Sequence, residues 1–317
     1  MAVITVPDRQ VPKDQREPGW AALGTVLDEP VNTAEMLEAA GLANWNLRFE
    51  ELQYPHEYHS PKLLVVRDDP STPTGARVLG EVGQRYNIMS NETLFDFGDA
   101  LLDSGDWVAA GSFAHDTKVF GSLRLNRTTA IGDEEAEHFL MVATSHNGTL
   151  AISASVTPVI PSCENTLAIA IRAAVQAYKF RHTATMQGRV MAAREALGLA
   201  DTYITEWDKA MQALISTEVT NQTFEAMIDK AYEPNDTKAG LTRFEKTKDA
   251  VWENWAQLPD ASAGTKYGAF NALNEFHMWG TSGKGANAEQ NVAVSRAGLN
   301  PVWNAKNNEL FELVSAW

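Results

Sequence analysis

Cysteine is nearly missing from this chain: Cys163 is the single one among 317 residues, so no internal disulfide can form. Secreted domains of modest size usually carry several, and a reducing cytoplasm is therefore the expected setting. The N-terminal MAVITVPDRQVPKDQREP lacks a positively charged flank followed by an apolar run, which excludes the reading of a secretory signal peptide. No window approaches the ~20 apolar residues that a membrane-spanning helix needs. Basic charge is scarce too. Lys and Arg number 26 against 41 Asp and Glu, a net charge of −15, which argues against general charge-driven binding to duplex DNA.

Aromatic residues are not scarce. With 44% hydrophobic residues and nine Trp the chain can bury a core, and its length allows one large domain or two ordinary ones. The acidity is uneven. Residues 1–59 hold 4 basic and 10 acidic side chains and residues 201–317 hold 10 and 16, so each flank is −6. Residues 60–200 hold 12 and 15, a net of −3. From Asn165 to Arg194 there are five basic residues (Arg172, Lys179, Arg181, Arg189, Arg194) and no acidic one.

Residues 1–32 are rich in proline and polar side chains and read as a mobile arm. Thr33 opens a short helix as its N-cap; with Met36 three residues on, no reciprocal capping box is expected, and Gly41 stops the helix. PKLLVVRDD (61–69) and ARVLGEVGQRYNIMS (76–90) form a hairpin about the turn PSTPTG, with Gly80 or Gly83 marking a bend. NETLFDFGDALLDSG (91–105) is a helix capped by Asn91, with Leu94, Phe97 and Leu101 at helical spacing. Residues 107–126 form one strand or a tight hairpin around His115–Asp116. The runs 138–146 and 149–160 are strands joined by Asn147–Gly148, a strong hairpin signal because both residues tolerate positive φ. A long helix is expected from Glu164 to Leu197, with further helices over 199–257, around Tyr267–Trp279, and at the chain end. The fold class is α+β: a β-β-α-β-β-β-α core with an antiparallel sheet and a long packing helix over 33–198, followed by a mainly helical region over 199–317.

Catalytic motifs are wanting. His115, Asp116, His138 and the run Asp133–Glu135 have metal-binding side chains, but His115 and Asp116 are adjacent on a strand and lack ligand spacing, so solvated acids are the better reading. SHNGT (145–149) is explained by its turn. Cys163 near a helix start could be an activated thiol but has no identifiable base, and a packed cysteine is the default. GTSGKGAN (280–287) lacks the glycine spacing of a phosphate loop, which excludes nucleotide hydrolysis on that basis. No metal and no cofactor are expected.

The remaining signal is basic. Arg172 and Lys179 are seven apart and share one side of the expected helix, while Arg181 points elsewhere. Snorkelling from a buried stem accounts for them equally well. Lys118, Arg124 and Arg127 lie on the strand before; Lys118 and Arg124, six apart, share a strand face and alternate with Phe120. Such a set could follow a single strand's phosphates, with Phe120 and Tyr86 stacking on bases.

Several blocks carry a resemblance: TAEMLEAAGLANWNLRFEEL, RYNIMSNETLFDFGDALLDSGDWVAAGSF, SHNGTLAISASVTPVIPSCENTLAIAI followed by YKFRHT, and TKYGAFNALNEFHMWG. Over residues 33 to 280 the chain resembles the phage/plasmid-like proteins, a family known mainly as a domain of unknown function. The resemblance implies a phage, prophage or plasmid origin and supplies no catalytic residues. The order hairpin, helix, three-stranded sheet, long helix is also similar to the single-strand annealing recombinases of the RecT and Red-beta type, which assemble as rings or filaments and hold DNA in a groove between hairpin and body. Likeness of fold alone does not fix function. The leading expectation is a non-catalytic, homo-oligomeric protein that binds and anneals single-stranded DNA through Lys118, Arg124, Arg127, Arg172, Lys179 and Arg181. The alternative is an interaction or structural protein that binds a phage or host protein, motivated by the acidic flanks and by Trp207, Trp252, Trp255 and Trp279. A metal-dependent nuclease ranks last, for want of a convergent acid or histidine cluster.

Overall fold

The computed structural model describes residues 23–51, 62–102, 106–131, 134–159, 178–182, 200–280 and 301–317. The fold is α+β, with two antiparallel sheets and a helical C-terminal part. The larger sheet has six strands in the order β1 (Thr25–Val31), β5 (Trp107–Phe113), β6 (Lys118–Ile131), β7 (Glu134–Ser145), β8 (Ile152–Val159) and β9 (Tyr178–Phe180). The smaller has three, β2 (Arg48–Glu51), β3 (Lys62–Asp68) and β4 (Ala76–Gly83), in sequence order. Helices α1 (Thr33–Ala39) and α2 (Asn91–Leu102) precede the long meander. Helices α3 (Ala200–Ile215), α4 (Asn221–Ala231), α5 (Lys238–Ala256), α6 (Lys266–Trp279) and α7 (Pro301–Ala316) follow it.

The hairpins form where turn chemistry calls for them. Residues 107–126 are a hairpin and not one strand: Ala114, His115 and Asp116 adopt φ of 54°, 57° and 64° between β5 and β6. Asn147 does connect β7 and β8, through a loop longer than two residues. Its Oδ1 accepts from the backbone N–H (3.1 Å) and hydroxyl (2.6 Å) of Thr149, and Gly148 follows at φ 71°. Gly80 is required by close approach, since a Cβ there would lie 2.4 Å from the Cβ of Asn147. The ladder between β3 and β4 slips between Val65 and Val66, so the bend expected near Gly80 is a bulge.

Four expectations are corrected. Thr25–Val31, assigned to the arm, forms edge strand β1, in which Val26 pairs with Ala109 and Val31 with Trp107. Asn32, not Thr33, caps α1: its side chain accepts from Glu35 N–H while Glu35 bonds back to the Asn32 N–H, a full capping box. Ser90, not Asn91, caps α2, its hydroxyl accepting from Thr93 N–H at 3.1 Å. Tyr178–Phe180, placed inside a helix from Glu164 to Leu197, is strand β9, with Tyr178, Lys179 and Phe180 opposite Ala154, Ser153 and Ile152. Aromatic residues flank Lys179 there, and the Phe180 ring meets Phe97 edge-on at 5.5 Å. The rest of that expected helix lies outside the described residues. Strand β2 went unpredicted.

One face of the six-stranded sheet packs on α1, α2 and α3. Trp107 is fully buried at its centre, and its Nε1–H is shared between Asp99 Oδ1 and Thr33 Oγ1, both at 2.8 Å, which ties β5 to both early helices. Gly121 leaves room for this packing; a Cβ there would lie 2.5 Å from Trp107 and 2.8 Å from Phe95. The same apolar cluster continues through Ile131 and Ala136 to Trp207 and Met211 of α3 and on to Phe224, Phe270 and Leu310. Helix α6 lies deep in the C-terminal part, where even Asn271, Asn274 and Glu275 are buried.

Candidate nucleic-acid interface

Pleating sends successive residues of β6 to opposite faces. Val119, Gly121 and Leu123 turn to the helices, whereas Lys118, Phe120, Ser122 and Arg124 turn to the other face. In register with this second set stand Ser145, Ala143, Met141 and Phe139 of β7, then Ser153 and Ser155 of β8, with position 179 opposite Ser153. The sheet thus gathers Lys118, Phe120, Arg124 and residue 179 on one face. Phe113, Phe120, Phe139 and Met141 form an apolar cluster there.

Among the described residues, two cations on this face meet no carboxylate and one hydroxyl has no hydrogen-bond partner. Arg124 is half-buried and has no carboxylate partner among the described residues, and its Nε is buried without an acceptor. The hydroxyl of Ser122, fully buried beside it, likewise has no partner. Lys118 places its Nζ 5.7 Å from the centroid of the Phe113 ring and forms no ion pair among the described residues. Arg127 is exposed in the bulge between Leu125 and Thr128, and Arg181 is exposed just after β9. Arg172 lies outside the described residues.

The two expected stacking aromatics are otherwise engaged. Phe120 is fully buried, tilted against Phe113 at 6.3 Å, so no base reaches its ring in this conformation. Tyr86 donates its hydroxyl to the Ser145 carbonyl at 2.5 Å and stacks on His182 at 4.5 Å; burial raises its pKa well above the usual tyrosine value. His182 is held in turn by the carbonyls of Asn87 (3.2 Å) and Leu150 (3.3 Å). Tyr86 therefore fastens the smaller sheet to the end of β7.

The same seam carries two polar assemblies that spacing in the sequence did not reveal. Arg67 and Arg77 of the hairpin meet Asp69 and Asp116: Arg67 Nη2 reaches Asp116 at 2.8 Å and Arg77 Nε reaches Asp69 at 2.6 Å. Ser71 and Ser112 donate to the same carboxylates at 2.5 and 2.7 Å. The Ser71 hydroxyl and then the Arg77 guanidinium hold the Asp69 carboxyl down at about 2. Nearby, His146 lies buried, with Nε2 3.1 Å from Asn91 Oδ1 and its ring 5.7 Å from Trp45, over which Arg67 sits at 4.5 Å. Burial, then His182 and Arg67, push its pKa down to about 4. On the far side of the sheet Thr129 Oγ1 bonds both His138 Nε2 (2.7 Å) and the Asp208 carboxylate, linking β6 and β7 to α3. His138 is likewise lowered to about 4, by burial. His115, Asp116 and His138 do not converge; among the described residues no three histidine, cysteine or acidic side chains meet as a metal site would require. Trp207 is buried against His138, and Trp255 stacks on Phe224 at 4.1 Å with Trp252 edge-on, so these tryptophans serve the core.

The architecture is that of an α+β protein whose antiparallel meander packs one face on helices and carries on the other a buried apolar cluster edged by Lys118 and Arg124. The chain belongs to the family described as Domain of unknown function (DUF932), whose model matches residues 78–299. The match starts within β4, so the block TAEMLEAAGL lies before it, and it runs beyond the TKYGAFNALNEFHMWG block. No curated protein and no solved structure matches the chain. No helix among the described residues is long and apolar enough to cross a membrane.

Proposed function

We propose that this is a phage-, prophage- or plasmid-encoded protein that binds single-stranded DNA and anneals it as a homo-oligomer, without catalysis and without a cofactor. The observation that carries the reading is the second face of the six-stranded sheet, where Lys118 and Arg124 share one side of β6 and neither cation meets a carboxylate among the described residues. A half-buried guanidinium with no carboxylate is costly unless an anion meets it, and a phosphodiester oxygen is such an anion. A net charge of −15 does not preclude binding at a local cationic patch, since phosphate contacts depend on the charges near the strand.

The test is fluorescence anisotropy with a labelled single-stranded oligonucleotide and a duplex of equal length, at low and physiological salt. Single-strand preference with a steep salt dependence is expected. Lys118→Ala with Arg124→Ala should lower affinity by about two orders of magnitude at low salt and flatten the salt slope by about 1.4 units. Wild-type protein that binds no oligonucleotide at low salt would sink the reading.

A second reading is a non-enzymatic partner-binding protein of the same element. It is favoured by Phe49 and Val78, large apolar side chains 39% and 56% exposed on β2 and β4, the two outer strands of the smaller sheet. Loss of a retained phage or host protein on Phe49→Ser with Val78→Ser, in a protein that ignores oligonucleotides, would establish it.

A further inference from the structure

Away from the sheet, a shallow, widely open cleft of about 590 Å³ lies on the surface of α5, lined by Lys238, Ala239, Thr242, Arg243 and Lys246 of that one helix. Lys238, Thr242 and Lys246 recur every four residues, so they stand on one side of the helix with about 6 Å of rise between successive members. Ala239 and Arg243 lie on the adjoining row. All five are exposed, and none of the three cations forms an ion pair among the described residues. Their neighbour Lys248, by contrast, is held by Glu225 at 2.6 Å and by Asp229 at 3.4 Å. Helix physics does not explain the arrangement. The positive end of a helix favours acidic side chains, yet the first turn of α5 has none, and Lys238 sits at its very start. Arg243 and Lys246, three apart, also repel one another. In a region whose flank carries net negative charge, three exposed cations with no ion pair among the described residues stand beside Ala239 and Thr242 on the helix surface, placed for an outside anion.

We propose that this cleft is a second phosphate-binding surface, which takes the phosphodiester backbone of single-stranded nucleic acid at a place separate from the sheet face. The small side chains at Ala239 and Thr242 let a backbone approach the helix closely. Lys238 and Lys246 stand about 12 Å of helix rise apart on one row, with Arg243 between them on the adjoining row. The proposal rests on the single-strand reading above. A protein with two such surfaces could hold one strand along both or bring two strands together, which annealing demands.

The full-length variant Lys238→Ala/Arg243→Ala/Lys246→Ala tests it by anisotropy against salt, beside wild type, the Lys118→Ala/Arg124→Ala variant, and a charge control lacking Lys209 and Lys230. The expected result is a salt slope reduced by about 2 units and affinity reduced at least ten-fold at low salt, with the charge control near wild type and Lys238→Arg/Lys246→Arg retaining binding. Removing these exposed cations leaves the melting temperature unchanged or slightly raised, which separates loss of binding from loss of fold. If wild type binds and the triple variant matches it in affinity and slope, the cleft is overturned while the sheet-face reading stands. If wild type binds no oligonucleotide, both fall. If inorganic pyrophosphate binding is lost in the triple variant but oligonucleotide binding is not, the cleft takes small phosphates and the proposal is likewise overturned.

Discussion

The hairpin and the sheet face use arginine in opposite ways. Arg67 and Arg77 are locked to Asp69 and Asp116, joining the smaller sheet to the turn between β5 and β6, so the hairpin is clamped on the body through charge. Arg124, half-buried on β6, meets no carboxylate among the described residues and leaves its Nε unsatisfied. A cation bound into a network serves the fold; Arg124 takes part in no such network among the described residues. Position in the sequence does not separate the two kinds, since all three arginines lie on strands.

The contrast can be broken most severely at the hairpin. Arg67→Ala with Arg77→Ala removes both cationic partners of two carboxylates, one of them buried, and should cost about 3 kcal/mol, measured by urea unfolding. A loss under about 1 kcal/mol would mean that the clamp is dispensable. Acidification comes next. His146 and His138 are both held near 4, below the ordinary histidine value, because burial disfavours the cation. Between that value and about 6.5 the unfolded chain takes up protons that the folded chain refuses, so stability is complete above about pH 6.5 and drains away as pH falls toward 4. A decline of a few kcal/mol across that window is expected, and it should be shallower in His146→Gln. A flat profile from pH 7 to 4.5 would show that neither histidine is buried in its neutral form. The smallest expected change is at the sheet face: Lys118→Ala with Arg124→Ala should move stability by no more than about 0.5 kcal/mol while it weakens single-strand binding. A large loss of stability there would make those cations structural and erase the distinction.

Much of the scaffold is legible in the sequence. The Asn147–Gly148 connection, the α2 stripe of Leu94, Phe97 and Leu101, and the helix at Tyr267–Trp279 follow from local chemistry, whereas residues 107–126 read equally as one strand or as a hairpin around His115–Asp116. Element ends were read less well. Asn32 beats Thr33 as a cap because Glu35 completes a reciprocal pair, and which of two neighbouring cap residues makes its bonds depends on the path of the chain into the helix. Strand β1 was hidden by a polar, proline-rich context, and β9 by a basic helical pattern around it; each exists because a neighbouring strand offers a ladder. The shared face of Lys118 and Arg124 was readable from their separation along a strand. That Phe120 is sealed and Tyr86 is a fastener was not, since burial is a property of what packs above a residue.

The sequence by itself determined the α+β class, the main hairpins, the amphipathic helices and the scarcity of basic charge, because turn residues, hydrophobic period and composition act over a few residues at a time. Only the tertiary structure decided which cations are paired. It brought Arg67 to Asp116 across 49 residues, Thr129 to Asp208 across 79, and residue 179 to the face of β6. Those meetings depend on strand register and helix packing, in which distant parts of the chain compete for the same partners, and no local pattern encodes the winner.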